Sequence, residues 1–337
     1  MADLLNLVKG ADLVEFAEGL NYKTTFVGST LFPARKTKNI LVEARNLIAN
    51  GDLPVMAQVH AYDAEARIGD RTNFTELKAE KLFIKEKLNR TERMSILLGD
   101  NLANADEKDV VRFIYDDANN LVSRVLTRCE VANMEVLATG KLTIEENNAE
   151  ITVDYKLPAA NAVDFESWSD KTHSILSDLE TIRTLAKANG KTIDKALTST
   201  KVIGYMKANE EIKGYFAGTG LVPTERRILQ FVFDEYGIAF VTNDDVYKTS
   251  ANANQTKRFY PEDKITFFGG NGALGEGLFG VTPEERENIG YSEKANVMLT
   301  QWKTEDPVAV WTKASATYLP VVKDINGLFI ATLVEED

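Results

Sequence analysis

Histidine is the side chain best suited to acid–base chemistry near neutral pH, and this sequence contains two, His60 and His173. Neither stands in an H-x-x-x-H or H-E-x-x-H pattern, so a histidine metal site is not indicated. No G-x-S-x-G motif marks a nucleophilic serine. The single cysteine, Cys129, falls on an apolar helical stripe, which is typical of a buried residue. We therefore predict no catalytic residue, no cofactor and no metal, and hence no enzyme.

One glycine motif and several carboxylate pairs could in principle serve a ligand. Gly270–Gly275 reads GNGALG, but a dinucleotide site needs a helix opening within the motif, and here another glycine-aromatic segment follows. Gly190, in NGKT, is better explained as a helix stop. An acidic nucleotide-binding enzyme that uses the glycine-rich loop stays open as an alternative. The paired carboxylates are typical of solvated faces, at Asp116-Asp117, Glu145-Glu146, Glu210-Glu211 and Asp244-Asp245.

Length and composition indicate a globular protein. The chain has 337 residues, of which 44% are hydrophobic and 27% charged, enough for two domains or one elaborated domain. No run of roughly 18 apolar residues predicts a membrane span. The N-terminus carries Asp3, Glu15 and Glu18 instead of the basic start of a secretory signal. One cysteine is consistent with assembly in a reducing cytoplasm.

The charge of the chain is unevenly distributed. It has 39 basic and 51 acidic residues, a formal −12, and such a surface repels nucleic-acid backbones. Residues 63–93 differ, because they hold eight basic and seven acidic side chains, a local balance of +1. This segment could be attracted to an acidic surface of another copy of the chain, or it could be a solvated hairpin.

Hydrophobic periodicity predicts the main helices and a two-stranded ribbon. An amphipathic helix is predicted over 3–18, and a very long one over 106–140, capped by Asp106 and ended by Gly140. Another helix ends at Gly190. The ribbon has strands near 53–62 and 80–88, joined by a turn at Ile68-Gly69-Asp70, and needs something to dock on.

The rest of the chain mixes short elements without a regular βαβ rhythm, so we predict the α+β class. The pattern indicates an extended segment at 24–44, broken at Phe32-Pro33, a hairpin turning at Asn147-Asn148 and a helix start at Thr282-Pro283. Closing strands follow, with a turn at Ile325-Asn326-Gly327. Short strands are predicted at 200–206, 226–233 and 237–244.

The order of these parts resembles a known family. The segments LFPARKTKNILVEARN, DLPVMAQVHAYDAEARIGDRTNFTELKAEKLFIKEKL, EVLATGKLTI, FFGGNGALGEGLFGVTPEE and WTKASATYLPVVKDINGLFIATLVEED are similar to tailed-phage major capsid proteins. The nearest type is the family of the phage lambda major head protein, gene product E, with the Hong Kong 97-like capsid fold. The likeness covers nearly the whole chain, and the order of the segments carries it.

The resemblance implies a division of the chain. Residues 1–51 would form an N-terminal arm and residues 52–89 an extended β-hairpin loop. Residues 90–160 and 289–337 would form a peripheral domain, with a spine helix at 106–139, and residues 161–288 an axial domain. The charged ribbon would then be a strap that reaches over a neighbouring subunit. Its candidate intersubunit contacts are Arg67, Asp70, Arg71, Glu76, Lys78 and Lys81.

The resemblance also implies a function. The chain would be a structural virion protein that self-assembles into hexamers and pentamers of an icosahedral phage head. The head would enclose double-stranded DNA without sequence-specific binding. A separate scaffolding protein, a portal protein and optionally a decoration protein would be its partners, and assembly would take place in the host bacterial cytoplasm. An encapsulin-like cellular compartment shell is the alternative that shares this fold.

Overall fold

The computed structural model of the chain describes residues 26–48, 73–90, 107–146, 149–166, 168–218, 220, 222–270, 272–287 and 291–334. The helices in these ranges are α1 (Val27–Leu31), α2 (Glu107–Thr139), α3 (Ile175–Ala188), α4 (Thr200–Ala208), α5 (Glu210–Ala217), α6 (Glu225–Tyr236) and α7 (Pro283–Arg286). None of these helices is long and apolar enough to cross a membrane.

The strands account for much of the rest of the described chain. They are β1 (Ala34–Lys36), β2 (Leu41–Ile48), β3 (Asn73–Glu80), β4 (Leu82–Arg90), β5 (Lys141–Glu146), β6 (Ala149–Asp154), β7 (Ala162–Phe165), β8 (Lys195–Thr198), β9 (Ala239–Thr242), β10 (Val246–Tyr247), β11 (Lys257–Arg258), β12 (Lys264–Phe268), β13 (Gly275–Gly280), β14 (Ser292–Lys294), β15 (Val297–Glu305), β16 (Val308–Val322) and β17 (Leu328–Leu333). The mixture of helices and strands confirms the predicted α+β class.

The described residues form two compact units. The first takes in those within Met1–Val42, Ala79–Asn133 and Glu276–Val321. The second takes in those within Glu43–Lys78, Met134–Gly275 and Val322–Asp337. Each unit is therefore assembled from segments that are far apart in the sequence.

The long helix α2 confirms the strongest prediction from periodicity. It runs over 33 residues, which at about 1.5 Å per residue is a rod of roughly 50 Å. The stripe that includes Leu121, Val125 and Cys129 is buried. The helix stops at Gly140, whose positive φ of 68° suits glycine and whose N–H donates to the Val136 carbonyl over 2.8 Å.

The short helix α1 rests directly on α2 in the first unit. The Gly28 N–H donates to Oε1 of Glu130 over 2.7 Å, and this carboxylate is buried. A β-carbon at position 28 would lie 2.6 Å from Oε2 of Glu130, so the contact leaves no room for a side chain. The prediction of a wholly extended segment over 24–44 is therefore wrong at Val27–Leu31, because a tertiary contact to α2 supports a helical turn there.

A six-stranded sheet forms the centre of the first unit. Its strands follow the order β1-β13-β16-β15-β14, and β4 also pairs with β16. The long strand β16 has neighbours on both sides, so that Ala314 lies between Leu299 of β15 and Glu86 of β4. The Tyr318 hydroxyl donates to Oδ1 of Asn133 over 2.6 Å, which joins the sheet to α2.

A five-stranded sheet and four helices form the core of the second unit. The sheet follows the order β7-β17-β12-β8-β9 and contains parallel and antiparallel pairs. Apolar residues of α3, α4, α5 and α6 pack with it into one core, which includes Ile182, Ile203 and Val232. The hydroxyl of Thr266 on β12 donates to the Leu137 carbonyl over 2.7 Å, which ties the end of α2 to this sheet.

Two of the three short strand predictions in this unit are wrong. Residues 200–206 belong to α4 and residues 226–233 to α6. The Ser199 hydroxyl accepts from the Val202 N–H and caps α4, while Ile228 and Val232, four residues apart, bury one face of α6. A short run rich in branched and aromatic residues has too few positions to distinguish the 3.6-residue period of a helix from the two-residue period of a strand. The third prediction is confirmed by β9.

The two compact units rest on contacts among the described residues, and the arm, extended loop, peripheral domain and axial domain stay predictions. β13 joins the sheet of the first unit, and β17 pairs with β12 and β7 in the second. Both strands find their partners far away in the sequence.

Candidate intersubunit surface

Three of the six candidate contact residues, Arg67, Asp70 and Arg71, lie outside the described residues, as do His60 and the predicted helix over 3–18. Glu76 lies on β3, whose backbone is described. Lys78 is exposed near the end of the same strand. Of the six candidate contact residues, the structure therefore describes the side-chain surroundings of two, Lys78 and Lys81.

Lys81 corrects one of these predictions. Its side chain is buried, with 3% of the residue exposed, and its ammonium donates to the Thr37 hydroxyl, the Asn39 carbonyl and the Phe279 carbonyl. Burial lowers the pKa of Lys81 because the charged form loses hydration. The residue is an anchor within its own subunit, and we withdraw it as an intersubunit contact. A charged ribbon read from sequence alone does not reveal which lysine turns inward.

The strands on either side of Lys81 pair differently from the prediction. β3 pairs with β2 in a separate two-stranded sheet, whereas β4 pairs with β16 from Leu82↔Tyr318 to Arg90↔Val310. The segment predicted as the return arm of the ribbon, 80–88, is thus largely a strand of the six-stranded sheet. Its apolar residues Leu82 and Ile84 find a partner on β16, which is why the arm docks there.

A cleft of about 760 Å³ opens beside the buried Lys81. Its wall holds Ile40 and Phe83, which are 46% and 41% exposed. On another wall Lys36 lies 3.0 Å from carboxylate oxygens of Glu285 and Glu293. Partial burial opposes the charge on Lys36, but the two carboxylates outweigh it and raise its pKa. The cleft is thus apolar in part and charged in part, as is common for surfaces that bind proteins.

The exposed face of β4 carries a row of one aromatic and two basic residues. Because side chains alternate along a strand, Phe83, Lys85 and Lys87 share one face. Glu86, on the opposite face, pairs with Arg124 of α2. The Lys85 Nζ lies 5.1 Å from the centre of the Phe83 ring. The row therefore lies on the sheet face that is turned away from α2.

Two tryptophans extend this face. Trp302 and Trp311 are cross-strand partners on β15 and β16, and their rings are stacked with centres 6.1 Å apart. The Lys87 Nζ lies 4.2 Å from the centre of the Trp311 ring, a distance typical of a cation–π contact. We call Phe83, Lys85, Lys87, Trp302 and Trp311 the cation–aromatic strip.

Sequence reasoning did not single out the two tryptophans. A signal was present, because WKTEDPVAVW places them at equal distances from the turn in an antiparallel hairpin. Recognising it would have required Glu305–Val308 to be identified as the turn pair and the register to be worked out from it. Two or three closing strands were predicted in this part of the chain, but the length of β16 and its pairing were not.

The hairpin of β5 and β6 presents the opposite charge. Glu145 and Glu150 are direct cross-strand partners, and both are exposed. Like charges in this position destabilise a hairpin by a few tenths of a kcal/mol. Neither carboxylate forms an ion pair with any residue that the structure describes. The predicted hairpin is confirmed, and its turn residues, Asn147-Asn148, lie outside the described part.

His173 and Cys129, the two described residues whose side chains are most often reactive, lie in surroundings typical of a structural role. The Trp168 Nε1–H donates to Oδ2 of Asp178, and His173 Nε2 lies 2.7 Å from the same oxygen. Cys129 is buried, and the loss of hydration raises the pKa of its thiol, which disfavours the reactive thiolate. Within the described ranges, no group of three His, Cys, Asp or Glu side chains could hold a metal ion.

The glycine-rich loop lacks the helix that a dinucleotide site requires. After Gly270 and Gly272, which have positive φ angles of 114° and 136°, the chain enters β13. Gly190 has a φ of 68° just after α3, as a helix stop does. Both motifs are therefore explained by backbone geometry.

Three solved structures whose TM-scores exceed 0.5 are capsid proteins or related to phages. A prophage protein of E. coli CFT073 assigned as a capsid protein matches 97% of this chain and 99% of its own, with a TM-score of 0.62 and 14% identity. A phage-related protein from Bordetella bronchiseptica RB50 matches 95% of each chain, with a TM-score of 0.55 and 11% identity. The capsid of Myoviridae phage XM1 matches 94% and 97%, with a TM-score of 0.51 and 11% identity. The chain thus has the Hong Kong 97-like capsid fold.

The sequence comparison defines the family. The chain belongs to the phage major capsid protein E family, which matches residues 11–333. Comparison with curated proteins gives no match. The family and the fold define a structural protein of the phage head, part of the capsid of the virion, as the resemblance of the sequence segments implies. Membership of a capsid family implies a structural role instead of an enzymatic one.

Proposed function

We propose that copies of this chain close into hexamers and pentamers through head-to-tail contacts, and that these rings build an icosahedral shell around double-stranded DNA. The observation that carries the proposal is the family match over residues 11–333. Head-to-tail contacts form closed rings when the rotation between neighbours permits, and many weak contacts then stabilise the shell collectively.

The partners in this proposal follow from the shell itself. A separate scaffolding protein guides the curvature, a portal protein occupies one vertex, and a decoration protein can bind the finished surface. The formal charge of −12 favours a container that repels the DNA backbone over one that binds it tightly. Assembly takes place in the host bacterial cytoplasm, where a protein with one buried cysteine needs no disulfide.

Of the predicted extended loop, residues 52–89, the part that precedes Lys81 acts in this proposal as the strap over a neighbouring subunit, since β4 belongs to the subunit's own sheet. The local balance of +1 over residues 63–93, in a chain that is otherwise acidic, supports this role. Lys81 anchors the base of the strap within its own subunit, and Lys78, three residues earlier, is already exposed. The remaining contact candidates are Arg67, Asp70, Arg71, Glu76 and Lys78.

Reversal of two strap charges tests this part of the proposal. Arg67→Glu with Arg71→Glu changes the local balance from +1 to −3. We expect folded subunits that assemble poorly at low salt, because even about 1 kcal/mol lost per contact is repeated around every ring. Raised ionic strength should restore part of the assembly, because exposed charges are screened beyond roughly 8–10 Å.

Circular dichroism and sedimentation velocity at low and high salt would measure folding and assembly. Lys248→Glu with Lys257→Glu is the matched control, since both lysines are exposed and the change in net charge is the same. Normal shells from the strap variant at low salt would refute the electrostatic strap. An unfolded strap variant would place these residues in the subunit's own core.

A further inference from the structure

The cation–aromatic strip carries positive charge that its own subunit leaves uncompensated. Lys87 lies directly opposite Lys313, and Lys313 is paired with Glu284. Lys85 lies opposite Ser315. Neither Lys85 nor Lys87 forms an ion pair with any residue in the described ranges, although each lies over an aromatic ring. The Glu284 carboxylate on this face is thus engaged by Lys313 and Ser315, and the ammonium groups of Lys85 and Lys87 have no ion-pair partner of their own among the described residues.

The β5–β6 hairpin carries the matching negative charge. Glu145 and Glu150 stand side by side on neighbouring strands without a basic partner in the described structure. Two carboxylates in this register repel each other, and a pair of external cations removes the repulsion. The strip and the hairpin are therefore complementary in sign and in the number of charges.

We propose that the cation–aromatic strip of one subunit binds the β5–β6 hairpin of a second copy, with Lys85 and Lys87 facing Glu145 and Glu150. This inference rests on the proposed function and names a contact within it. In this proposal the contact is used head-to-tail, the strip of each copy binding the hairpin of the next, and such contacts build rings and shells.

The aromatic rings make the strip better suited to this contact than free lysines would be. A lysine held over a ring has fewer conformations to lose when it binds, so a larger part of the attraction is retained. Phe83 and Trp302 are 41% and 36% exposed, and their rings give the hairpin an apolar surface beside the charges. Aromatic residues such as these are enriched at protein interfaces.

Charge-swapped variants test the pairing directly. One variant carries Lys85→Glu with Lys87→Glu, and the other carries Glu145→Lys with Glu150→Lys. Each alone sets like charges against each other, so we expect shell yield at low salt to fall by about tenfold or more. A chain that carries all four changes makes opposite charges face each other at every contact, in rings of five as well as in rings of six, and should recover most of the yield.

Three outcomes of this test would contradict the proposal. Normal shells from either variant alone would overturn the proposal, and would show that Lys85 and Lys87 only protect the edge strand β4 from unwanted pairing. Two impaired variants whose changes, combined in one chain, still leave assembly impaired would also overturn it, because the strip and the hairpin would then contact different partners. Normal shells that lose DNA retention in the lysine variant would instead assign the strip to nucleic acid.

Controls keep this inference separate from the proposed function. If the wild-type protein forms no shells in the same buffer, the proposed function fails, whereas shells from the wild type and all variants contradict the pairing alone. Lys248→Glu with Lys257→Glu controls for net charge. If circular dichroism shows that the lysine variant does not fold, the milder change Lys85→Gln with Lys87→Gln replaces it. The variant Glu145→Lys with Glu150→Lys leaves β4 unchanged and gives an independent result.

Discussion

At the scale of single residues, the described structure depends on a few close contacts that a sequence pattern does not display. Gly28 is buried against the carboxylate of Glu130, 102 residues later in the chain. Lys81 is buried among carbonyl groups and a hydroxyl. Both positions lie in segments that look like ordinary surface chain when only their neighbours in the sequence are considered.

Substitution of Gly28 tests the contact between α1 and α2. We expect Gly28→Ala to lower the free energy of unfolding by about 1–3 kcal/mol, because its β-carbon would lie 2.6 Å from Glu130 Oε2 in a buried site. Chemical denaturation of the unassembled subunit would measure this. Gly204→Ala is the control, since nothing lies within 4 Å of a β-carbon there, and alanine should raise helix stability by roughly 0.5–1 kcal/mol. Equal effects of the two changes would contradict the account of α1.

Glu284 gives a prediction about acid sensitivity. Burial works to raise its pKa, but the Lys313 ammonium and the Ser315 hydroxyl hold the pKa of this carboxylate below the ordinary 4.5. A lowered folded-state pKa means that the stabilisation is present above pH 4.5 and is lost as the pH falls through the folded pKa. We expect Glu284→Gln to be less stable than wild type near neutral pH and to lose less stability on acidification.

Denaturant unfolding at a series of pH values from neutral to acid would measure both effects. Glu305→Gln is the matched control, because Glu305 is exposed at the turn between β15 and β16. Parallel pH profiles for wild type and Glu284→Gln would show that Glu284 has no part in the acid response.

At the scale of elements, α2 contributes residues of its buried stripe to each compact unit, Val125 to the first and Met134 and Val136 to the second. Burial of a charge on this stripe costs several kcal/mol. We therefore expect Val125→Asp to give insoluble protein, whereas Asn120→Asp, on an exposed position of the same helix, should stay soluble.

The soluble fraction after expression, followed by circular dichroism, would measure this difference. A soluble and folded Val125→Asp subunit would contradict the burial of this face. Solubility lost in both variants would point to a general intolerance of negative charge on α2 instead.

Elements with a long repeat were predictable from the sequence, and elements that depend on distant partners were not. α2 repeats its apolar stripe over 33 residues, so its bounds were predicted to within a residue. α4 and α6 are short, and their branched residues resemble strands. β4 was predicted as a strand, but its partner β16 begins more than two hundred residues later, and no local pattern carries that information.

The candidate contact surface was likewise predictable only in those features that do not depend on distant parts of the chain. The local charge balance identified the segment of interest, because charge is a property of the sequence itself. It did not identify Lys81 as buried, nor Trp302 and Trp311 as part of the exposed face, because both depend on strand register. The acidic pair Glu145 and Glu150 likewise becomes a pair only when the hairpin forms.

At the scale of the whole molecule, the chain combines the Hong Kong 97-like fold with membership of the phage major capsid protein E family. Its net charge of −12 is interrupted by residues 63–93, whose local balance is +1 and which include part of the proposed strap and the lysines of the cation–aromatic strip. Repeated contacts between unlike surfaces convert modest pairwise energies into a stable shell.

Cryo-electron microscopy of the purified recombinant protein, over a range of concentration and salt, tests the central claim most directly. We predict closed icosahedral particles in which each subunit contacts its neighbours head-to-tail within rings of six and five. Protein that remains monomeric under all these conditions, or that forms only two-fold dimers through one self-complementary surface, would contradict the account.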